Sequence, residues 1–77
     1  MTPRPYEIWD WDTANIVYAY ATLEEAFADV RKEVTVNGPE SAATWFLQYD
    51  DRVNGYIVAE GNALVKRAFA SAIPVSG

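Results

Sequence analysis

The sequence predicts an α+β fold of order ββαββα, a four-stranded antiparallel sheet with two helices packed on one face, and three observations support it. Two stretches rich in aromatic and β-branched residues, 6 to 20 and 44 to 60, are each broken once by Asp and Asn residues suited to a turn. Each is followed by a segment whose apolar residues recur at helical spacing. Glycines stand singly, at turns and ends.

The first hairpin pairs residues 6 to 11 with 16 to 20 around "DTAN". If Asp12 faces Asn15 across that turn, Trp9 lies opposite Tyr18 and Trp11 opposite Ile16, while Tyr6, Ile8, Val17 and Ala19 share the other face. Thr22 and Glu25 form an S/T-x-x-E capping box that opens a helix over 23 to 36, with Leu23, Ala26, Phe27, Val30 and Val34 on one stripe. Asn37, Gly38 and Pro39 stop it. "TWFLQY" and "GYIVAE" then flank "DDRVN" as a second hairpin, in which Trp45, Leu47 and Tyr49 alternate with Phe46 and Gln48. Gly61 and Asn62 open a helix over 62 to 72, with Leu64, Val65, Ala68, Phe69 and Ala72 on one face. The expected core joins Phe27, Val30, Leu64, Val65, Ala68 and Phe69 to one set of strand residues. "EEAFADV" and "KRAFASA" occupy equivalent places in the two halves, as do Asn15 and Asn54, which hints at a duplicated ββα unit.

The 77 residues read as a single domain, 1–77, with 1–5 and 73–77 as loose termini. A domain of this size buries only about 60% of the surface its unfolded chain exposes. The absence of Cys and His removes disulfides and the usual nitrogen and sulfur metal ligands as supports, which leaves oligomerisation as the common remaining device. With 51% hydrophobic and 22% charged residues, the composition is that of a folded chain rather than a disordered one. Prolines and an early acidic residue in "MTPRPYEIWDWD" interrupt any signal-like run, and no stretch approaches the roughly 20 apolar residues of a membrane span. The expectation is a cytoplasmic protein that binds no membrane. A formal net charge of -5 repels phosphate backbones, so no nucleic acid partner is expected either. Base stacking on the sheet would need a basic groove, and Arg4, Arg31, Lys32, Arg52, Lys66 and Arg67 fall mostly on the helices or at a tip.

Chemistry-bearing patterns are few. No Ser-His-Asp arrangement, thiolate nucleophile or phosphate-cradling glycine loop exists, so no catalytic residue, metal ligand or cofactor is assigned and the chain reads as a non-enzyme. "DDRVNG" from Asp50 and "DWDTAN" from Asp10 imitate calcium loops. The first places Arg52 at the third position and Gly61 where a bidentate Glu is required; the second puts Asn15 at position 6 and Ala21 at position 12. Both fit turn chemistry better. Asp10, Asp12, Asp50 and Asp51 near the hairpin tips read as solvated charges, while Glu7 and Glu60 lie on strands.

Both faces of the expected sheet are apolar, whereas a sheet wet on one side should alternate cleanly between apolar and polar. Two helices cover one face. The rings left over form an apolar patch of the few-hundred-Å² size at which a soluble monomer becomes unusual, and a second copy is the commonest cover. Trp9, Trp11, Tyr18, Tyr20, Trp45 and Tyr49 are the expected interface residues of a homodimer. Competing arrangements are edge-to-edge strand pairing, helices on opposite faces, or rings that lean their polar edges into water.

The stretches "YEIWDWDTANIV", "TLEEAFADVRK" and "EGNALVKRAFA", together with a tryptophan strand and an acidic turn, resemble small uncharacterised bacterial proteins along nearly the whole chain. That resemblance implies a compact α+β fold and brings no activity. The first hairpin followed by "ATLEEAFADV" is also similar to the start of HicB-type antitoxins, which implies a capped helix after two strands and, for function, a regulatory subunit. Two readings follow. One is a non-enzymatic protein-interaction domain, homodimeric and able to dock another protein. The other is a small-ligand-binding domain or minor enzyme using the aromatic face, with Asp10 or Glu7 as its polar handle; it requires a concavity over Trp9 and Trp11.

Overall fold

In the computed structural model, which describes residues 3–71, the chain forms β1 (Tyr6–Asp10), β2 (Asn15–Tyr20), α1 (Leu23–Asn37), a short 3-10 turn (Pro39–Ala42), β3 (Trp45–Asp50), β4 (Gly55–Glu60) and α2 (Gly61–Ala70). Of the expected elements, Ala72 and residues 73–77 lie outside the described residues, as do residues 1 and 2. At the amino end the Pro5 carbonyl accepts from the Asp50 amide at 2.9 Å.

Local chemistry sets the helix ends. Thr22 Oγ1 accepts from the Glu25 amide at 3.2 Å while Glu25 Oε1 accepts from the Thr22 and Ala21 amides, so the capping box forms as the sequence predicts. Gly38, at φ +92°, ends α1 with its amide donating to the Val34 carbonyl, and a side chain there would be strained. The second helix starts one residue earlier than expected. Glu60 occupies its N-cap in extended backbone, and the chain passes from β4 into α2 through Gly61 at φ +55° without a loop.

The strands form one antiparallel sheet in the order β2-β1-β3-β4, so the two hairpins meet along β1 and β3. Both helices lie on the same face. Ile8, Leu47 and Ala59, one row across three strands, are buried against Ala26, Phe27, Val30, Leu64 and Ala68. The helices also touch each other: Arg31 Nη1 donates to the Ala68 carbonyl at 2.7 Å. Arg67 donates to the Val58 carbonyl and lies over the Phe27 ring, closing the gap between α2 and the sheet.

Two expectations need correction. The tight pairing of Asp12 with Asn15 does not occur, because the Asp10 carboxylate accepts from the Asp12 amide and the Thr44 hydroxyl, and the turn spans 11–14 with Ala14 at φ +58°. Asp10 therefore faces Asn15, and a β-bulge at Val17 changes the phase of the strand, so Trp9 lies opposite Ile16 and Ile8 opposite Tyr18. Phe69 is the second. It is 44% exposed, because Leu64 and Ala68 form the inward ridge of α2 and Val65 and Phe69 stand on its flank, with Val65 only partly covered.

Candidate functional site

Register partners point to the same side of a sheet, and Ile8 and Leu47 identify the helix-covered side. The opposite side therefore holds one row of Ile16, Trp9, Phe46 and Glu60, and a second of Ala19, Glu7, Gln48 and Ile57. Trp11 joins them from the turn. Its amide donates to the Thr44 carbonyl at 3.1 Å, which continues the β1–β3 pairing by one residue, and its ring lies 5.5 Å from that of Phe46. Trp11 is 51% exposed, Ile16 45% and Ile57 49%, an apolar surface that no helix covers.

A polar pair sits in the middle of this surface. Glu7 Oε1 accepts from Gln48 Nε2 at 2.8 Å and from Trp9 Nε1 at 3.0 Å, so the carboxylate fixes both the amide and the indole. All three residues are half-buried by their neighbours. The face bears two carboxylates, Glu7 and Glu60, and no lysine or arginine.

The six residues expected at an interface divide between the two sides. Trp9 and Trp11 are on the open face. Tyr18, Tyr20, Trp45 and Tyr49 are on the helix side, where Tyr20 and Trp45 are buried in the core. Tyr20, Tyr6, Tyr49 and Tyr56 form a row across all four strands, with Tyr6 and Tyr49 edge-to-face at 5.1 Å and Tyr49 stacked on Tyr56 at 5.3 Å. Tyr20 donates to Asp29 of α1 at 2.6 Å, and burial together with this carboxylate pushes its hydroxyl pKa well above the usual tyrosine value. Tyr18 is exposed at the sheet edge, where it accepts from Arg4 Nη1 at 3.1 Å and stacks under that guanidinium.

Phe46, Ile16 and Ile57 belong to the open face and were not among the expected interface residues. The alternation within β3 separates Phe46 and Gln48 from Trp45, Leu47 and Tyr49, and that signal is legible from the sequence once the inward set is known.

The acidic turns are occupied by backbone. Asp51 Oδ1 accepts from the Val53 and Asn54 amides, which hold its carboxyl below the ordinary carboxylate range, with the Asn54 bond the larger cause. Asp50 Oδ1 accepts from the Arg52 amide, and Asp10 is engaged as described above. Open clefts lie between β2 and α1 and beside the Asp50–Arg52 turn; none of the three is lined by Trp9, Trp11, Phe46 or Ile57. No group of His, Cys, Asp or Glu among the described residues could hold a metal ion, and no helix among them is long and apolar enough to cross a membrane. No family model, curated protein or solved structure matches the chain.

Proposed function

We propose that this chain is a non-enzymatic protein-interaction domain that works as a homodimer, the open sheet face of one copy covering that of another. The observation behind this reading is the uncovered apolar face itself: both helices are spent on the opposite side, while Trp11, Ile16 and Ile57 remain about half exposed around Trp9 and Phe46. Four strands about 4.8 Å apart and six residues at about 3.3 Å each give a face of roughly 400 Å² in projection. Side-chain relief and the Trp11 overhang bring its accessible area toward the roughly 600 Å² per partner at the low end of specific interfaces.

Edge pairing is less well supported. Both edge strands carry a mid-strand bulge, at Val17 in β2 and at Val58 in β4, and a bulge twists the free edge away from a straight partner. A small-ligand site would need a hollow over Trp9 and Trp11, and neither ring lines the three clefts described above, although Glu7 contributes to the one beside the Asp50–Arg52 turn.

Sedimentation equilibrium at micromolar concentration tests the proposal. The expected species has twice the 8.6 kDa chain mass. Trp11→Glu should convert it to monomer with unchanged far-ultraviolet circular dichroism, since Trp11 lies in a turn and outside the core. Wild-type protein that stays monomeric at high concentration would overturn the reading.

A further inference from the structure

We propose that Glu7 and Gln48 set the register of this dimer, each Glu7 carboxylate accepting from the Gln48 amide of the second copy across a two-fold axis that runs parallel to the strands between β1 and β3. The inference rests on the homodimer reading above.

Glu7 and Gln48 are directly opposite each other on the two central strands, and both side chains stand on the open face. Their bond to each other uses Glu7 Oε1 and one hydrogen of Gln48 Nε2. Glu7 Oε2 and the second amide hydrogen have no partner among the described residues. No buried side-chain nitrogen or oxygen among these residues lacks a partner, so that free oxygen remains open to solvent. A purely apolar cover would strip water from a carboxylate and an amide and return nothing. The occupant of this face must therefore bring a donor to Glu7 and an acceptor to Gln48.

A second copy brings both, provided that the axis is right. In a face-to-face pair the two-fold lies in the plane between the sheets. An axis parallel to the strands lays β1 of one copy over β3 of the other. Because Glu7 and Gln48 are at the same height in the register, each carboxylate then meets the other copy's amide, and Trp9 meets Phe46 in the next row. An axis perpendicular to the strands and centred on the same row lays β1 over β1 and sets the two carboxylates against each other. Charge and hydrogen bonding thus select the first arrangement.

Sedimentation equilibrium of two near-isosteric variants separates the arrangements, with circular dichroism confirming the fold of each. Glu7→Gln replaces two charge-assisted bonds by neutral ones and should weaken the dimer about tenfold or more. Gln48→Glu places carboxylate over carboxylate twice and should give monomer. Mixing the two variant chains restores an acid–amide pair at both crossings, while the two carboxylates of the Gln48→Glu chain stay side by side, so the mixture should associate clearly more tightly than Gln48→Glu alone though less tightly than wild type. A Glu7→Gln dimer as tight as wild type, or tighter, overturns the proposed register while leaving the dimer standing. A mixture that fails to associate overturns the cross-copy pairing. Wild-type protein found as a monomer removes the dimer itself, an outcome distinct from both.

Discussion

Thr22 and Tyr20 show how single side chains commit this chain to its geometry. The Thr22 hydroxyl satisfies one of the orphan amides at the start of α1, and the reciprocal bonds from Glu25 fix the two preceding amides at the exit from β2. Thr22→Ala should lower the unfolding free energy by about 1 kcal/mol in a urea titration, while an unchanged midpoint would place helix initiation elsewhere. Two residues earlier, the buried Tyr20 hydroxyl donates to Asp29 and ties the strand to the helix it leads into. Its pKa is raised by burial and by that carboxylate, so the folded state favours the neutral hydroxyl. The stabilisation is therefore complete below the unfolded tyrosine value of about 10 and declines as pH rises beyond it. Urea midpoints should hold steady up to about pH 9 and fall above about pH 10. Tyr20→Phe keeps the ring and should lose the Tyr20 share of that alkaline slope; a slope identical to wild type would mean the hydroxyl does not stay neutral in the fold.

At the scale of elements, the two helices anchor themselves differently. Phe27 is buried between α1 and the sheet under Arg67, whereas Phe69 stands on the flank of α2. Phe27→Ala should cost about 3 to 5 kcal/mol and Phe69→Ala a small fraction of that, although each occupies the same place in a similar stretch of sequence. Equal losses in a denaturant titration would mean that α2 is rotated to bring Phe69 inward. The elements themselves were legible: the capping box, the Asn-Gly-Pro stop and the two aromatic hairpins gave the order ββαββα because each signal is local. Which rings share a face was not. Side-chain direction in a strand has period two, so the longer turn, which slides the pairing by two residues, left the faces unchanged, and the single extra residue at Val17 moved Tyr18 and Tyr20 to the helix side, away from Trp9. Local composition does not announce a bulge. Val58 interrupts β4 as Val17 interrupts β2, and this bulge sends Ala59 to the core although it stands two positions from the open-face Ile57. The pairing of Glu7 with Gln48, 41 positions apart, depends on how the hairpins dock, which no local pattern encodes.

The whole molecule has a thin core: Ile8, Leu47, Leu64 and Val30 are the largest side chains fully withdrawn from water. A domain with so little interior, no disulfide and an apolar face left open gains most from covering that face, because the added burial needs no further chain to be ordered. On the proposed dimer, association and folding are linked, and stability must depend on protein concentration. Once the concentration exceeds the dissociation constant, each tenfold increase should add about 0.7 kcal/mol per chain, half of the 1.4 kcal/mol that a factor of ten carries for the dimer. The urea midpoint of the wild-type chain should therefore climb across a dilution series from micromolar upward. Trp11→Glu, which keeps the core and loses the face, should give one midpoint at every concentration. These curves separate two origins of instability that a single melting experiment confuses. If Trp11→Glu and wild type are equally stable and both independent of concentration, the face contributes nothing to the fold and its rings serve no second copy. If both rise together with concentration, association proceeds through another surface, and the β2 and β4 edges, despite their bulges, become the place to look.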